Sequence, residues 1–193
     1  MSNEREFRVA VVGRSWLGGE VLARVAASGC ECCLISETGD TLATDRAEML
    51  GLPVIVKPAH LPILTADFPW RPDLIVSAHS FRILPDWLIQ WARLGAVGYH
   101  PSLLPAYRGR RAVQDALNDG ARITGGSVYW LTDTVDGGPV VIANDRKLQE
   151  AVQIIPSEAA SSLWRRALAP LGADLLAEAV TAFERGFKQR FTV

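Results

Sequence analysis

Apolar residues recur along this chain in two alternating periods. Phe7–Gly13 (FRVAVVG) is a short β-branched run closed by glycine, and behind it Leu17, Val21, Leu22 and Val25 follow the three-and-four spacing of a helix over Leu17–Ser28. Glu31–Ser36 (ECCLIS) predicts a second strand, Thr41–Leu50 a helix closed by Gly51, and Pro53–Val56 a third strand. A proline-rich connection, Lys57–Pro72, leads to Asp73–Ala78 (DLIVSA), apolar enough for a central strand covered on both faces. Pro85 opens a helix over Asp86–Arg93, and Ala96–Tyr99 is a short strand running into the loop His100–Gly109. A helix around Ala112–Asn118 follows. Gly125–Thr132 and Val140–Lys147 predict two more strands separated by the tight turn Asp136-Gly137-Gly138-Pro139, and Ser157–Phe187 predicts a long helical segment broken near Pro170 and Gly172.

Strands alternating with helices to about residue 120 predict an α/β fold: a doubly wound, mostly parallel sheet with helices on both faces. A chain of 193 residues suits a single domain. Sheets of this kind place their sites at the carboxyl ends of the strands, which directs attention to Gly13–Gly19, Ser77–Leu84 and Gly98–Gly109.

Composition narrows the function classes. Hydrophobic residues at 49% and charged residues at 21% describe a chain with ample material for a core. The net charge is −1, and Lys and Arg are dispersed except at Arg108, Arg110 and Arg111, so no basic stripe predicts nucleic-acid binding. No apolar run approaches the ~18 residues of a membrane span, and the polar start Met1–Arg8 has no signal-peptide core, so a cytoplasmic location is expected with no membrane partner. Cys30, Cys32 and Cys33 crowd into one apolar segment without metal-ligand spacing and read as strand residues in a reducing compartment.

Three stretches carry candidate chemistry. Gly13-Arg14-Ser15-Trp16-Leu17-Gly18-Gly19 meets neither phosphate-loop pattern; it serves either as a flexible strand-to-helix turn or as a substrate-contacting helix N-terminus. His100 follows a predicted central strand in a loop stiffened by Pro101 and Pro105, where an imidazole can be held for proton transfer near neutral pH. Asp136 sits in an acidic, glycine-rich turn. Its bland role is conformational, but brought beside His100 it would form a carboxylate–imidazole pair.

On these residues the chain resembles the catalytic domain shared by glycinamide ribonucleotide, methionyl-tRNA and sugar N-formyltransferases. The resemblance covers about residues 7–186 and rests on HPSLLPAYRG at 100–109, FRILP at 81–85 and TDTVDGGPV at 132–140. It implies a Rossmann-like formyltransferase fold, 10-formyltetrahydrofolate as formyl donor, and a small-molecule amine as acceptor. It also implies that His100 and Asp136 are catalytic, and that Phe81, Arg82, Ile83, Leu84, Thr134 and Val135 line the folate cleft, much of it through backbone groups. The family uses an Asn-x-His pair. A protonated histidine would donate to the oxyanion of the tetrahedral intermediate while the aspartate orients it and relays protons through water.

The departures matter as much. Gly98 stands where the family carries the Asn, and loss of such a donor costs ~10²–10³ in rate; His79, Ser80 and Tyr99 are the nearby candidates to replace it. Ser15-Trp16-Leu17 replaces the phosphate-binding Gly-Ser-Asn turn of the ribonucleotide enzyme, and Arg165 falls at its late acidic position, which disfavours glycinamide ribonucleotide. The chain ends where the transfer-RNA enzyme continues into a second domain. Arg110 and Arg111 are expected either to receive an anionic substrate or to form a solvated helix start. A 10-formyltetrahydrofolate hydrolase and a non-catalytic folate-binding module remain the alternatives. The apolar positions Leu163, Trp164, Leu168, Leu171, Leu175 and Leu176 are expected in the core, with a homodimer contact as their other use.

Overall fold

Five apolar runs align as parallel strands in the computed structural model, which describes residues 6–191. β1 (Arg8–Gly13) lies between β2 (Glu31–Glu37) and β4 (Leu74–Ala78); β3 (Val54–Lys57) flanks β2, and β5 (Ala96–His100) flanks β4. Beyond β5 the sheet turns antiparallel through β6 (Ile123–Trp130) and β9 (Gln149–Gln153), completing a seven-stranded order β3-β2-β1-β4-β5-β6-β9. The chain winds outward from β1 to β3 and then returns beside β1 at β4. That reversal opens a crevice at the carboxyl ends of the strands.

The two-residue period of the strands divides the core. Val9, Val11, Leu34, Leu74 and Val76 face one side, under α1 (Ser15–Ala27), α2 (Thr41–Met49) and α6 (Ala169–Phe191). Ala10, Val12, Cys33, Ile35 and Ile75 face the other, under Ile63, Phe68, Leu84 and the Leu88 of α3 (Asp86–Trp91). Each large side chain so buried contributes roughly 1.5–3 kcal/mol. The cysteines sit in this core, and none forms a disulfide. Residues 1–5 of the polar N-terminus lie outside the described residues.

Two expectations are corrected. Val140–Lys147 is not one strand: Val140 makes an isolated bridge to Tyr129, and β7 (Ile142–Ala143) folds back on β8 (Arg146–Lys147). Asn144 and Asp145, at φ 50° and 60°, form the two-residue turn, a conformation that suits these residue types. The sheet edge is instead β9, a polar stretch (QEAVQ) that shows little of the apolar alternation that would reveal it. The C-terminal segment also breaks earlier than expected. Helix α5 (Ala160–Leu163) passes through a widened π turn at Trp164–Leu168 into α6, and Pro170, which has no amide hydrogen to donate, follows directly on that turn. Gly172 does not break the helix; a Cβ there would meet the Tyr99 ring at 2.7 Å, so the glycine admits that ring. Leu163, Leu168, Leu175 and Leu176 are buried in the core, with Trp164 and Leu171 packed against it.

Candidate active site

Strand β5 ends on His100, and antiparallel pairing sets Ser127 of β6 opposite it and Tyr129 opposite Gly98. The loop that follows is anchored from three sides. Ser127 Oγ donates to the Ser102 carbonyl at 2.6 Å and accepts from the Leu104 amide at 3.1 Å, while Gln149 Nε2 donates to the Leu104 carbonyl at 2.9 Å. The chain then curls back so that His100 Nε2 lies 2.7 Å from the Tyr107 carbonyl oxygen. A carbonyl only accepts, so Nε2 carries the hydrogen there.

The other ring nitrogen, Nδ1, lies 3.3 Å from Asp136 Oδ2. Asp136 reaches this position from a turn in which its φ is 49°, a left-handed conformation that Asp tolerates better than most residues. Its carboxylate is held on both oxygens: the Gly109 amide donates to Oδ2 and the Tyr129 hydroxyl to Oδ1, each at 2.7 Å. The two side chains are 6% and 11% exposed, so this pair interacts more strongly than a surface ion pair. Burial, reinforced by the Asp136 carboxylate, pushes the Tyr129 hydroxyl well above the ordinary phenol range and keeps it a donor. The arrangement can exchange a proton between an imidazole and a fixed carboxylate beside the crevice.

Around this pair the other predicted residues divide. Phe81, 46% exposed, lies between the guanidinium groups of Arg14 and Arg110, at 5.5 and 5.2 Å from its ring centre. Arg110 also donates to the Phe81 carbonyl at 3.2 Å, and since the Gly109 amide holds Asp136, the loop of His100 is tied to both the segment 81–84 and the acidic turn. Ile83 is 76% exposed and Val135 57%, apolar surface available to a planar ligand. Thr134 is also exposed. Arg82 and Leu84 serve the scaffold: Arg82 donates to the carbonyls of Lys57, Pro58 and Leu61, and Leu84 is buried against α3. Arg111 projects into solvent and pairs with Asp115 at 3.6 Å.

None of the expected replacements for a side chain at Gly98 reaches that place. Tyr99 points to the opposite face of the sheet, where its hydroxyl donates to the Leu168 carbonyl at 2.7 Å. Ser80 Oγ accepts from the Arg82 amide. His79, at φ 57°, packs between Phe81 and Trp164, its ring centre 5.5 and 4.8 Å from theirs, with a buried Nδ1 that has no hydrogen-bond partner. Burial, and secondly the Arg14 charge, lower its pKa. The Tyr107 carbonyl, the Gly109 amide and Tyr129 are further parts of the site that are not among the residues expected from the sequence. Only the last had a legible signal: an aromatic residue in the strand expected to follow a glycine-bearing one. A groove of about 770 Å³, lined by residues including Leu117, Arg122, Gln153 and Glu158, takes in neither His100 nor Asp136.

Residues 64–180, which carry the whole of this pair and its loop, match the family model described as formyl transferase. The chain belongs to the formyltransferase family. Its relatives in this family include the methionyl-tRNA formyltransferase of Chlorobium chlorochromatii, 42% identical over 56% of this chain and 32% of that protein. The human cytosolic 10-formyltetrahydrofolate dehydrogenase is 30% identical over 93% of this chain and 20% of its own length. The chain thus spans a third or less of these curated relatives. Solved formyltransferase folds cover more. Glycinamide ribonucleotide transformylase 1 of Symbiobacterium toebii superposes with a TM-score of 0.76 at 23% identity, covering 96% of this chain and 94% of that one. The formyltetrahydrofolate deformylase of Pseudomonas syringae gives 0.76 at 19% identity, over 95% and 63%. The formyltransferase family draws its formyl group from 10-formyltetrahydrofolate, and the mostly parallel seven-stranded sheet is the fold of these structures.

Proposed function

We propose that this chain transfers the formyl group of 10-formyltetrahydrofolate to the amine of a small molecule. The observation that carries the reading is the buried His100–Asp136 pair, at 3.3 Å, in a family whose donor is that folate. The donor supplies the carbonyl carbon that the amine attacks. Residues of this chain supply the rest: Ile83 and Val135 offer apolar surface for the donor's ring system, and Arg110 ties the loop of His100 to the segment that carries Ile83. His100 Nε2 already donates to a carbonyl oxygen, that of Tyr107, and a formyl oxygen competes for the same hydrogen. Asp136, fixed by Gly109 and Tyr129, balances charge on the ring and passes the amine's proton through water to the tetrahydrofolate nitrogen, which leaves protonated as its bond to the formyl carbon breaks. The net charge of −1 supports a small acceptor over a nucleic acid, and core cysteines without disulfides support a cytoplasmic location.

Calorimetric titration with a stable analogue of 10-formyltetrahydrofolate tests this reading. Stoichiometric binding, followed by amine-dependent loss of the formyl donor, is expected. Absence of binding refutes it; formate release that needs no amine would make the protein a hydrolase of the same donor.

A further inference from the structure

Gly98 and Tyr129 are directly paired across β5 and β6. Residues opposite one another, and residues two apart on one strand, share a face, so Gly98, Tyr129 and His100 all present the same side of the sheet. A Cβ built on Gly98 would stand 3.4 Å from Tyr129 Cε1 and 3.5 Å from Cζ, and 2.9 Å from Leu131 Cδ2. A Cβ at 98 would thus rest in ordinary contact with the tyrosine ring and press on the flexible end of Leu131, so the ring and Leu131 together fill the space beside Gly98. From there the hydroxyl meets Asp136 Oδ1 at 2.7 Å, and the His100 ring stands edge-on to the tyrosine with centres 6.4 Å apart.

We propose that Tyr129, packed beside Gly98, is the positioning residue of the His100–Asp136 pair. The carboxylate of Asp136 could otherwise turn about its own axis, because the Gly109 amide holds only Oδ2. With Oδ1 bound by the phenol, rotation costs a charge-assisted hydrogen bond, and Oδ2 stays toward Nδ1. The hydroxyl donates and is spent on Asp136, so Tyr129 acts through the aspartate and does not itself face the reacting atoms.

The proposal rests on the formyl-transfer reading of this pair, so its test reads both donor turnover and the histidine ring. Tyr129→Phe keeps the ring over Gly98 and removes only the hydroxyl. The chain has three histidines, His60, His79 and His100, which makes the imidazole nitrogen resonances of ¹⁵N-labelled protein assignable by single substitutions. We expect the His100 Nδ1 resonance of Tyr129→Phe to move in the direction that Asp136→Asn moves it. We also expect kcat to fall ~10-fold or more, a share of the 10²–10⁴ that a placed acid–base group contributes, while KM for the donor changes little. A His100 spectrum identical to wild type overturns the proposal, as does full turnover in Tyr129→Phe. If the wild-type protein turns over no donor, the functional reading fails, and the imidazole spectrum alone still decides whether Tyr129 sets the pair.

Discussion

Asp136→Asn isolates the charge of the carboxylate from its shape. Asn, like Asp, is among the non-glycine residues that tolerate the left-handed conformation found at φ 49°, so the turn should persist. The carboxamide oxygen can take the Gly109 amide, which has no alternative but to donate, and its NH₂ then faces Tyr129, whose hydroxyl can rotate to accept. Both hydrogen bonds survive as neutral ones. A bond to a charged group contributes about 1.5–3 kcal/mol and a neutral one about 0.5–1.5, so two such exchanges lose roughly 2 kcal/mol. With the side chain 11% exposed, solvent does little to weaken the effect. For a domain of this size 1 kcal/mol corresponds to about 2–4 °C, so a melting temperature about 4–8 °C below wild type is expected by scanning calorimetry. Turnover of the formyl donor should fall by ~10² or more, because a neutral amide neither balances charge on His100 nor receives a proton. A melting temperature within about 1 °C of wild type, with turnover intact, would refute the view of Asp136 as a fixed, charged partner of His100.

His100→Ala is expected to abolish donor turnover while circular dichroism shows the fold retained; unchanged turnover would remove His100 from the chemistry. Gly98→Asn should not raise activity. The backbone there is not left-handed, but the added side chain meets Leu131 and the Tyr129 ring, and overpacking should cost about 1–3 kcal/mol in denaturant unfolding. His79 carries a folded-state pKa below its ordinary value of about 6.5. The unfolded chain therefore binds more protons in that window, so stability rises with pH up to about 6.5 and falls as the solution is acidified below it. His79→Gln should flatten that part of the stability profile measured by urea unfolding between about pH 5 and pH 7. Tyr99→Phe removes the hydrogen bond to the Leu168 carbonyl, and a loss of about 0.5–1.5 kcal/mol is expected in the same measurement.

The first five strands and the helices between them were legible because each is a local pattern: a run such as VAVV or DLIVSA has one stable use, buried in a sheet, and apolar spacing at Leu17, Val21 and Val25 has one stable use as a helix face. His100, Asp136 and the loop between residues 100 and 109 were legible through their resemblance to a family. What stayed hidden depends on long-range contact. The edge strand β9 is polar and pairs only because β6 is beside it, and the hairpin at Asn144–Asp145 turns on two residues inside an apparently continuous run. Arg82 read as a cleft residue, yet the two terminal nitrogens of its guanidinium donate to carbonyls about twenty to twenty-five positions earlier. Most of all, Gly98 read as a deficit. Sequence by itself determined that no side chain stands there. Only the tertiary structure decided what does: strand register brings Tyr129, thirty-one positions later, across the glycine and onto Asp136, because pairing in a sheet is set by hydrogen bonds between distant segments and not by neighbours along the chain.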